Sequence, residues 1–389
     1  MCGGGFGGVK VALELAGSSG LSVTLVSDQD DFHYHASLYH SATGGSRAQS
    51  VISLKDIFAA KVVKIIKDSV QGIDRGQKTI KTSGSGSIPY DSLVMALGNV
   101  TNYFGIKGLA EYSFGINTYG DAIRLKRHLH DQLITSHHPD INYIVVGAGP
   151  TGVELAGVLP GYIKQILKRH GIKRRTVNIL LIESAAQVLP SMPKDLSRSV
   201  ARRLRRLGVR LLLGKKVIGE SVDDLMVEGR PIKSQTVAWT AGLTNHPFFS
   251  ANNFTLSDNG KVKVNEYLEA EPDIFVVGDN ADTPYSGMAQ TAIRDADLAA
   301  RNIKLRAAGK PLQTYKPRKP VYVTPVGPHW AAVLWGKWRI CGRLGWFVRR
   351  TADWLGYHEV ETWWKASKQM VASNDNEENC PECAVNDIR

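Results

Sequence analysis

Short apolar runs recur along the chain, and several of them stop at glycine. Ile141-Asn142-Tyr143-Ile144-Val145-Val146 leads into Gly147-Ala148-Gly149-Pro150-Thr151-Gly152, with a helix-like stretch behind it. A continuous apolar run bounded by turn residues predicts a strand covered on both faces. Val177-Asn178-Ile179-Leu180-Leu181-Ile182 is another, ending in Glu183. The N-terminus repeats the plan: Gly3-Gly4-Gly5-Phe6-Gly7-Gly8 opens a helical run, and Leu21-Ser22-Val23-Thr24-Leu25-Val26 ends in Ser27-Asp28. Ile274-Phe275-Val276-Val277 ends in Gly278-Asp279. Near the C-terminus the period changes. Leu344, Phe347, Val348, Thr351 and Leu355 share one helical face, and Arg349, Arg350 and Asp353 fall on the other, the pattern of an interfacial helix. No apolar run approaches the ~18 residues that a spanning helix needs.

Both glycine turns read G-x-G-x-x-G at a helix start, with Gly3, Gly5 and Gly8 in one and Gly147, Gly149 and Gly152 in the other. Glycine permits the tight turn and lets backbone N–H groups reach a pyrophosphate at the helix N-terminus. One such turn is equally well explained by close packing; two, each with strand, helix and acid, point to two bound dinucleotides. The acid after the second strand binds ribose hydroxyls: Asp28 or Ser27 in the first unit, Glu183 in the second. Glu183 would also repel a 2′-phosphate by roughly 4 kcal/mol for unit charges ~4 Å apart in an intermediate dielectric, favouring NADH over NADPH. Asp279 could bond a ribityl hydroxyl, although a strand followed by a turn explains it as well. The order of elements predicts an α/β chain of two Rossmann-like dinucleotide-binding domains, one inserted in the other. The first spans 1–110 and 265–320, the second 111–264. A C-terminal amphipathic, membrane-associating region covers 321–368, and a polar disordered tail 369–389.

The sequence resembles the two-dinucleotide-binding-domain flavoproteins, and among them the type II NADH:quinone oxidoreductases, over about residues 1–335. Leu38-Tyr39-His40-Ser41-Ala42-Thr43-Gly44-Gly45 resembles the segment leading towards the isoalloxazine. Tyr90-Asp91-Ser92-Leu93-Val94-Met95-Ala96-Leu97-Gly98 resembles the stretch that returns to the flavin, and Val237-Ala238-Trp239-Thr240-Ala241-Gly242 the end of the NADH domain. Met288-Ala289-Gln290-Thr291-Ala292-Ile293-Arg294 resembles the quinone-pocket segment. The resemblance implies FAD contacts from Gly3, Gly5, Gly8, Ser27, Asp28, Ala96, Gly98, Gly278, Asp279 and Ala289. It implies NADH contacts from Gly147, Gly149, Gly152, Glu183, Ala241 and Gly242. It also implies Glu154 near the flavin, where a helix-capping role is the alternative, and Gln290 on the quinone or flavin. The chemistry implied is hydride transfer from NADH to FAD, then electrons to a quinone without proton pumping. Three features depart from the family: Ser27 in place of the ribose acid, Arg294 in place of the second glutamine, and a less hydrophobic C-terminal part.

The formal net charge is +12. Between Arg301 and Lys368 the only acids are Asp353, Glu359 and Glu361, and seven of the eight tryptophans lie from Trp330 to Trp364. No nucleic-acid module accompanies these basic residues, so the expected partner is an anionic membrane surface on the cytoplasmic side, held peripherally. The same face could serve a homodimer. No cysteine lies between Cys2 and Cys341, which excludes a thiol relay and a cysteine pair at the flavin. Cys380 and Cys383 offer two thiols where a structural zinc takes four ligands. The clusters His33, His35, His40 and His128, His130, His137, His138 lack ligand spacing, so no metal is expected. The competing readings are an NADH-dependent reductase of a soluble electron carrier, and a flavin-binding sensor with little turnover. Only Met1-Cys2 precedes Gly3, so the first unit is expected to lack its central strand, at roughly 5–10 kcal/mol of lost burial. Either the start has been placed a few codons late or the protein tolerates the defect.

Overall fold

The computed structural model describes residues 1–135 and 139–372. In the second nucleotide unit, the strand Asn142–Val146 runs parallel between Asn178–Glu183 and Thr236–Trp239, with Val209–Leu213 outermost. The apolar run is continuous because both faces are covered. Tyr143, Val145, Ile179 and Leu181 point into one core, and Ile144, Val146, Leu180 and Ile182 into another. The helix Pro150–Arg169 leaves the glycine turn and packs across this sheet. An antiparallel ribbon of Val217–Glu220, Asp224–Val227 and Arg230–Lys233 precedes the last strand.

The first unit repeats the plan. Thr24–Ser27 pairs with Lys64–Lys67, and Leu93–Met95 pairs with Ile274–Val276, all in parallel. The strands at 93 and 274 are neighbours because the chain leaves for the second unit and returns. Asn99–Thr101 and Leu243–Asn245, one outgoing and one returning, pair antiparallel where it crosses. Between Thr24–Ser27 and Leu93–Met95 lie Met1 and Cys2. Cys2 bridges to Val26 and Met95 and is fully buried. Its N–H donates to the Val94 carbonyl at 2.9 Å, and Val26 N–H donates to the Met1 carbonyl at 2.8 Å. Where a central strand was expected to be lacking, these two residues occupy its place and pair on both sides.

After the helix Ala289–Ala307, the chain forms an antiparallel sheet of Tyr322–Pro325, Ala331–Trp335 and Trp338–Gly342. Two helices follow, Arg343–His358 and Trp363–Ala372. The second continues past residue 369, where the tail was expected to begin. Cys380, Cys383, His137 and His138 lie outside the described residues.

Candidate active site

The two glycine turns share one geometry. Gly3 and Gly147 have φ of +112° and +100°, values that L side chains rarely adopt. A Cβ on Gly3 would stand 2.0 Å from the Ala96 carbonyl oxygen, and one on Gly147 2.6 Å from Ala241 Cα. A Cβ on Gly8 would stand 1.9 Å from the Gly3 carbonyl oxygen, and one on Gly152 1.8 Å from that of Gly147. The outer glycines are therefore required by the protein itself. The middle ones are not: a Cβ on Gly5 or Gly149 meets nothing within 4 Å. Their peptides face open space before a helix N-terminus, the place where a pyrophosphate approaches backbone N–H groups. The residues fit a dinucleotide in each unit.

The strand-end residues differ between the units. Glu183 reaches back to its own turn: one carboxylate oxygen accepts Ala148 N–H at 2.7 Å, the other Ala185 N–H at 2.8 Å. Ser27 is buried against Gly4, and Asp28 is exposed beside Gln29. Around Gly278, a second set of contacts closes the first site. Asn280 clamps Gly98 reciprocally, with Gly98 N–H donating to its side chain at 2.9 Å and its amide donating to the Gly98 carbonyl at 2.7 Å. Asn99 donates to Asp279 at 2.8 Å, and burial raises the Asp279 carboxyl above its ordinary range. The Gly278 N–H donates to Asp295, a wholly buried carboxyl pushed up to about 6 by burial. Gly242 lies against Phe104 and the Asn102 carbonyl, so a side chain there would collide with both.

Glu154 sits just past the first turn of the Pro150–Arg169 helix and is buried. Its carboxylate pairs with Arg349 of the C-terminal helix at 3.2 Å. Arg349 also bonds Asp353 at 2.7 Å and the Ala36 carbonyl at 2.7 Å, and Tyr34 donates to Asp353 at 3.0 Å. Burial pushes the Glu154 carboxyl up to about 7; Arg349 offsets this only in part. Burial opposes the Arg349 charge, but Asp353, Tyr39 and Glu154 outweigh it and hold the guanidinium well above its ordinary value. Ala289 begins the Ala289–Ala307 helix. Gln290 spends its amide on Val321, donating to its carbonyl at 2.9 Å and accepting its N–H at 3.2 Å. Arg294 donates to the Arg318 carbonyl at 2.9 Å. Of the histidines, His128 bonds Thr236 at 2.9 Å.

A family model described as pyridine nucleotide-disulphide oxidoreductase matches residues 2–296. The chain belongs to that family. With two turns that fit FAD and NADH, it is an FAD-dependent enzyme of the NADH dehydrogenase kind. This family member has no cysteine between Cys2 and Cys341 to serve the thiol chemistry of the family's description. It is 27% identical over 376 residues to the type II NADH:quinone oxidoreductase of Staphylococcus saprophyticus, covering 90% of this chain and 92% of that protein. Identity to the Staphylococcus aureus protein of the same name is 26%, with the same coverage. The structure of NDH2 from Plasmodium falciparum in complex with NADH matches with a TM-score of 0.86 over 96% of each chain, at 16% identity. The sulfide:quinone oxidoreductase from Aquifex aeolicus matches at 0.75, covering 95% and 91% at 20% identity. At such identities the two structures show the fold. The resemblance read from the motifs therefore extends over nearly the whole chain.

Sequence reasoning missed Asn280, Asn99, Asp295 and Arg349. Asn280 follows directly on Gly278-Asp279 and was within reach of the motif. Arg349 was not, because its role depends on which face of its helix turns inward.

Proposed function

We propose that the protein is a type II NADH:quinone oxidoreductase held peripherally on the anionic, cytoplasmic face of the cell membrane, passing electrons to a quinone without pumping protons. The observation that carries this reading is the orientation of the Arg343–His358 helix. Its charged residues Arg349 and Asp353 turn inward to Glu154 and Tyr34. Several of its apolar residues face out while Tyr357 is buried: Leu344 is 71% exposed, Phe347 60% and Leu355 50%, with Trp338 at 74% and Trp364 at 84% nearby in sequence. No helix among the described residues is long and apolar enough to cross a membrane. An inside-out amphipathic helix suits a surface that rests on lipid, with tryptophans at headgroup level. The same helix carries the partner of Glu154, so a lipid-borne acceptor would enter beside a buried carboxyl able to exchange a proton near neutrality.

FAD bound in the first unit would supply the hydride-accepting and electron-passing chemistry. The chain's residues do the rest. The turns at Gly3 and Gly147 hold the pyrophosphates, Glu183 selects the unphosphorylated ribose, and Asp279 with Asn99 and Asn280 holds the flavin end. A quinone takes up two protons with its two electrons, and in this reading Glu154 supplies one. Gln290 and Arg294 shape the acceptor side by fixing the 318–321 segment to the Ala289–Ala307 helix. Anaerobic reduction of the flavin by NADH, followed by reoxidation with a short-chain quinone, tests the reading. Reduction without reoxidation by quinone, but with reoxidation by a soluble carrier protein, would replace the quinone with that carrier.

A further inference from the structure

A cleft of about 420 Å³ opens on the NADH unit between the second half of the Pro150–Arg169 helix and Leu207-Gly208. Its walls are apolar and half-buried, with Pro160, Leu167, Ile172 and Leu207 among them. Its rim carries Lys164, Lys168, Lys173 and Arg175, and its lining contains no acid and no neutral hydrogen-bonding side chain. Lys164, Lys168 and Lys173 are exposed and form no ion pair among the described residues. Arg175 donates to the Gln132 and Leu133 carbonyls, which fixes its guanidinium at the edge. The surrounding chain is strongly basic: residues 160–216 hold fifteen Lys and Arg against only Glu183 and Asp195.

The cleft lies away from the nucleotide. Val177 and Ile179 line it at the start of the strand Asn178–Glu183, and Glu183 ends that strand at the glycine turn. At ~3.3 Å per residue, the two ends are roughly 15 Å apart. Lys164 and Lys168 are one helical turn apart, where like charges repel, so an anion between them relieves a cost already present.

We propose that this cleft binds one long-chain fatty carboxylate, its chain along the Pro160–Leu207 wall and its head among Lys164, Lys168 and Lys173. A nucleotide would leave its base edge unpaired against apolar walls, which is costly. A two-chain phospholipid is too large, because 420 Å³ is near the lower end of the ~300–1,000 Å³ range of small-molecule sites.

The test is displacement of fluorescent cis-parinarate from the FAD-loaded full chain by oleate, below the concentration at which oleate forms micelles. One site per chain is expected, with methyl oleate competing at least ~tenfold more weakly, a difference of ~1.4 kcal/mol. The double variant Lys164→Glu, Lys168→Glu should weaken oleate by a similar factor, and Leu167→Trp should fill the cleft and remove binding. Both should keep wild-type NADH turnover with a water-soluble quinone. Wild-type oleate affinity in both variants would overturn the proposal, as would equal competition by the methyl ester. So would a double variant that loses binding to phosphatidylglycerol vesicles while keeping oleate, which would make this face a bilayer contact.

Discussion

Single side chains in this protein carry identifiable free energies. Removing the Glu183 carboxylate takes away the charge that disfavours a 2′-phosphate and the acceptor for Ala148 N–H. Glu183→Ala is therefore expected to raise the NADPH-to-NADH ratio of flavin-reduction efficiency by about tenfold, ~1.4 kcal/mol. An unchanged ratio would mean the ribose is read elsewhere. Arg349 neutralises two carboxylates in a buried setting. Arg349→Ala leaves both without their cation, and thermal unfolding should show a loss of about 3–5 kcal/mol. Glu154 gives a pH signature. Its folded value, about 7, lies above its ordinary 4.5, because burial penalises the charged form. Between these values the folded protein binds more protons than the unfolded chain, so stability falls as pH rises through that window and is level above it. Glu154→Gln should flatten this slope in melting temperatures taken across the window. If Glu154 supplies a proton to the acceptor, the same substitution also slows quinone reduction while sparing flavin reduction by NADH.

At the scale of the element, the Arg343–His358 helix is the decisive piece. Helices normally turn apolar side chains to the core; this one buries Arg349 and leaves Leu344 and Phe347 in the open. Each large apolar side chain taken out of water contributes about 1.5–3 kcal/mol. Leu344→Glu with Phe347→Glu should therefore leave the melting temperature within about a degree and weaken binding to anionic vesicles by more than tenfold, read by flotation. Vesicle binding that survives the double change, with a shift from dimer to monomer in sedimentation, would assign the face to a second copy of the chain. The periodicity of Leu344, Phe347, Val348, Thr351 and Leu355 was legible in the sequence. Its polar face was legible only as polar, since besides the nearby Asp353 the partners of Arg349 are Glu154 and Ala36, more than 190 residues away.

At the scale of the molecule, the two nucleotide units are copies of one plan joined at the paired strands Asn99–Thr101 and Leu243–Asn245, followed by the C-terminal sheet and helices. Each unit has its own turn, so damage should be separable. Gly8→Ala forces a Cβ into the Gly3 carbonyl, and Gly152→Ala into that of Gly147. Overpacking of this kind costs about 1–3 kcal/mol, or roughly five- to 150-fold in an equilibrium. The first should purify with depleted flavin, measured by its visible absorbance. The second should keep its flavin but reduce slowly with NADH. Equal flavin loss in both would show that the units do not hold their nucleotides independently.

Sequence alone determined what depends on local covalent order. A glycine turn needs its glycines at fixed spacing, and a strand buried on both faces needs a continuous apolar run. Both nucleotide units, and the fold class with them, could therefore be read without a structure. The same holds for the absence of any cysteine between Cys2 and Cys341, which is a matter of composition. The tertiary structure decided everything that depends on distant neighbours. It set Met1 and Cys2 between two strands, paired on both sides. It joined Asn280 to Gly98, turned Gln290 onto Val321, and put Arg349 against Glu154. These contacts arise when separate elements pack, and their energies come from desolvation and from partners that local sequence does not specify.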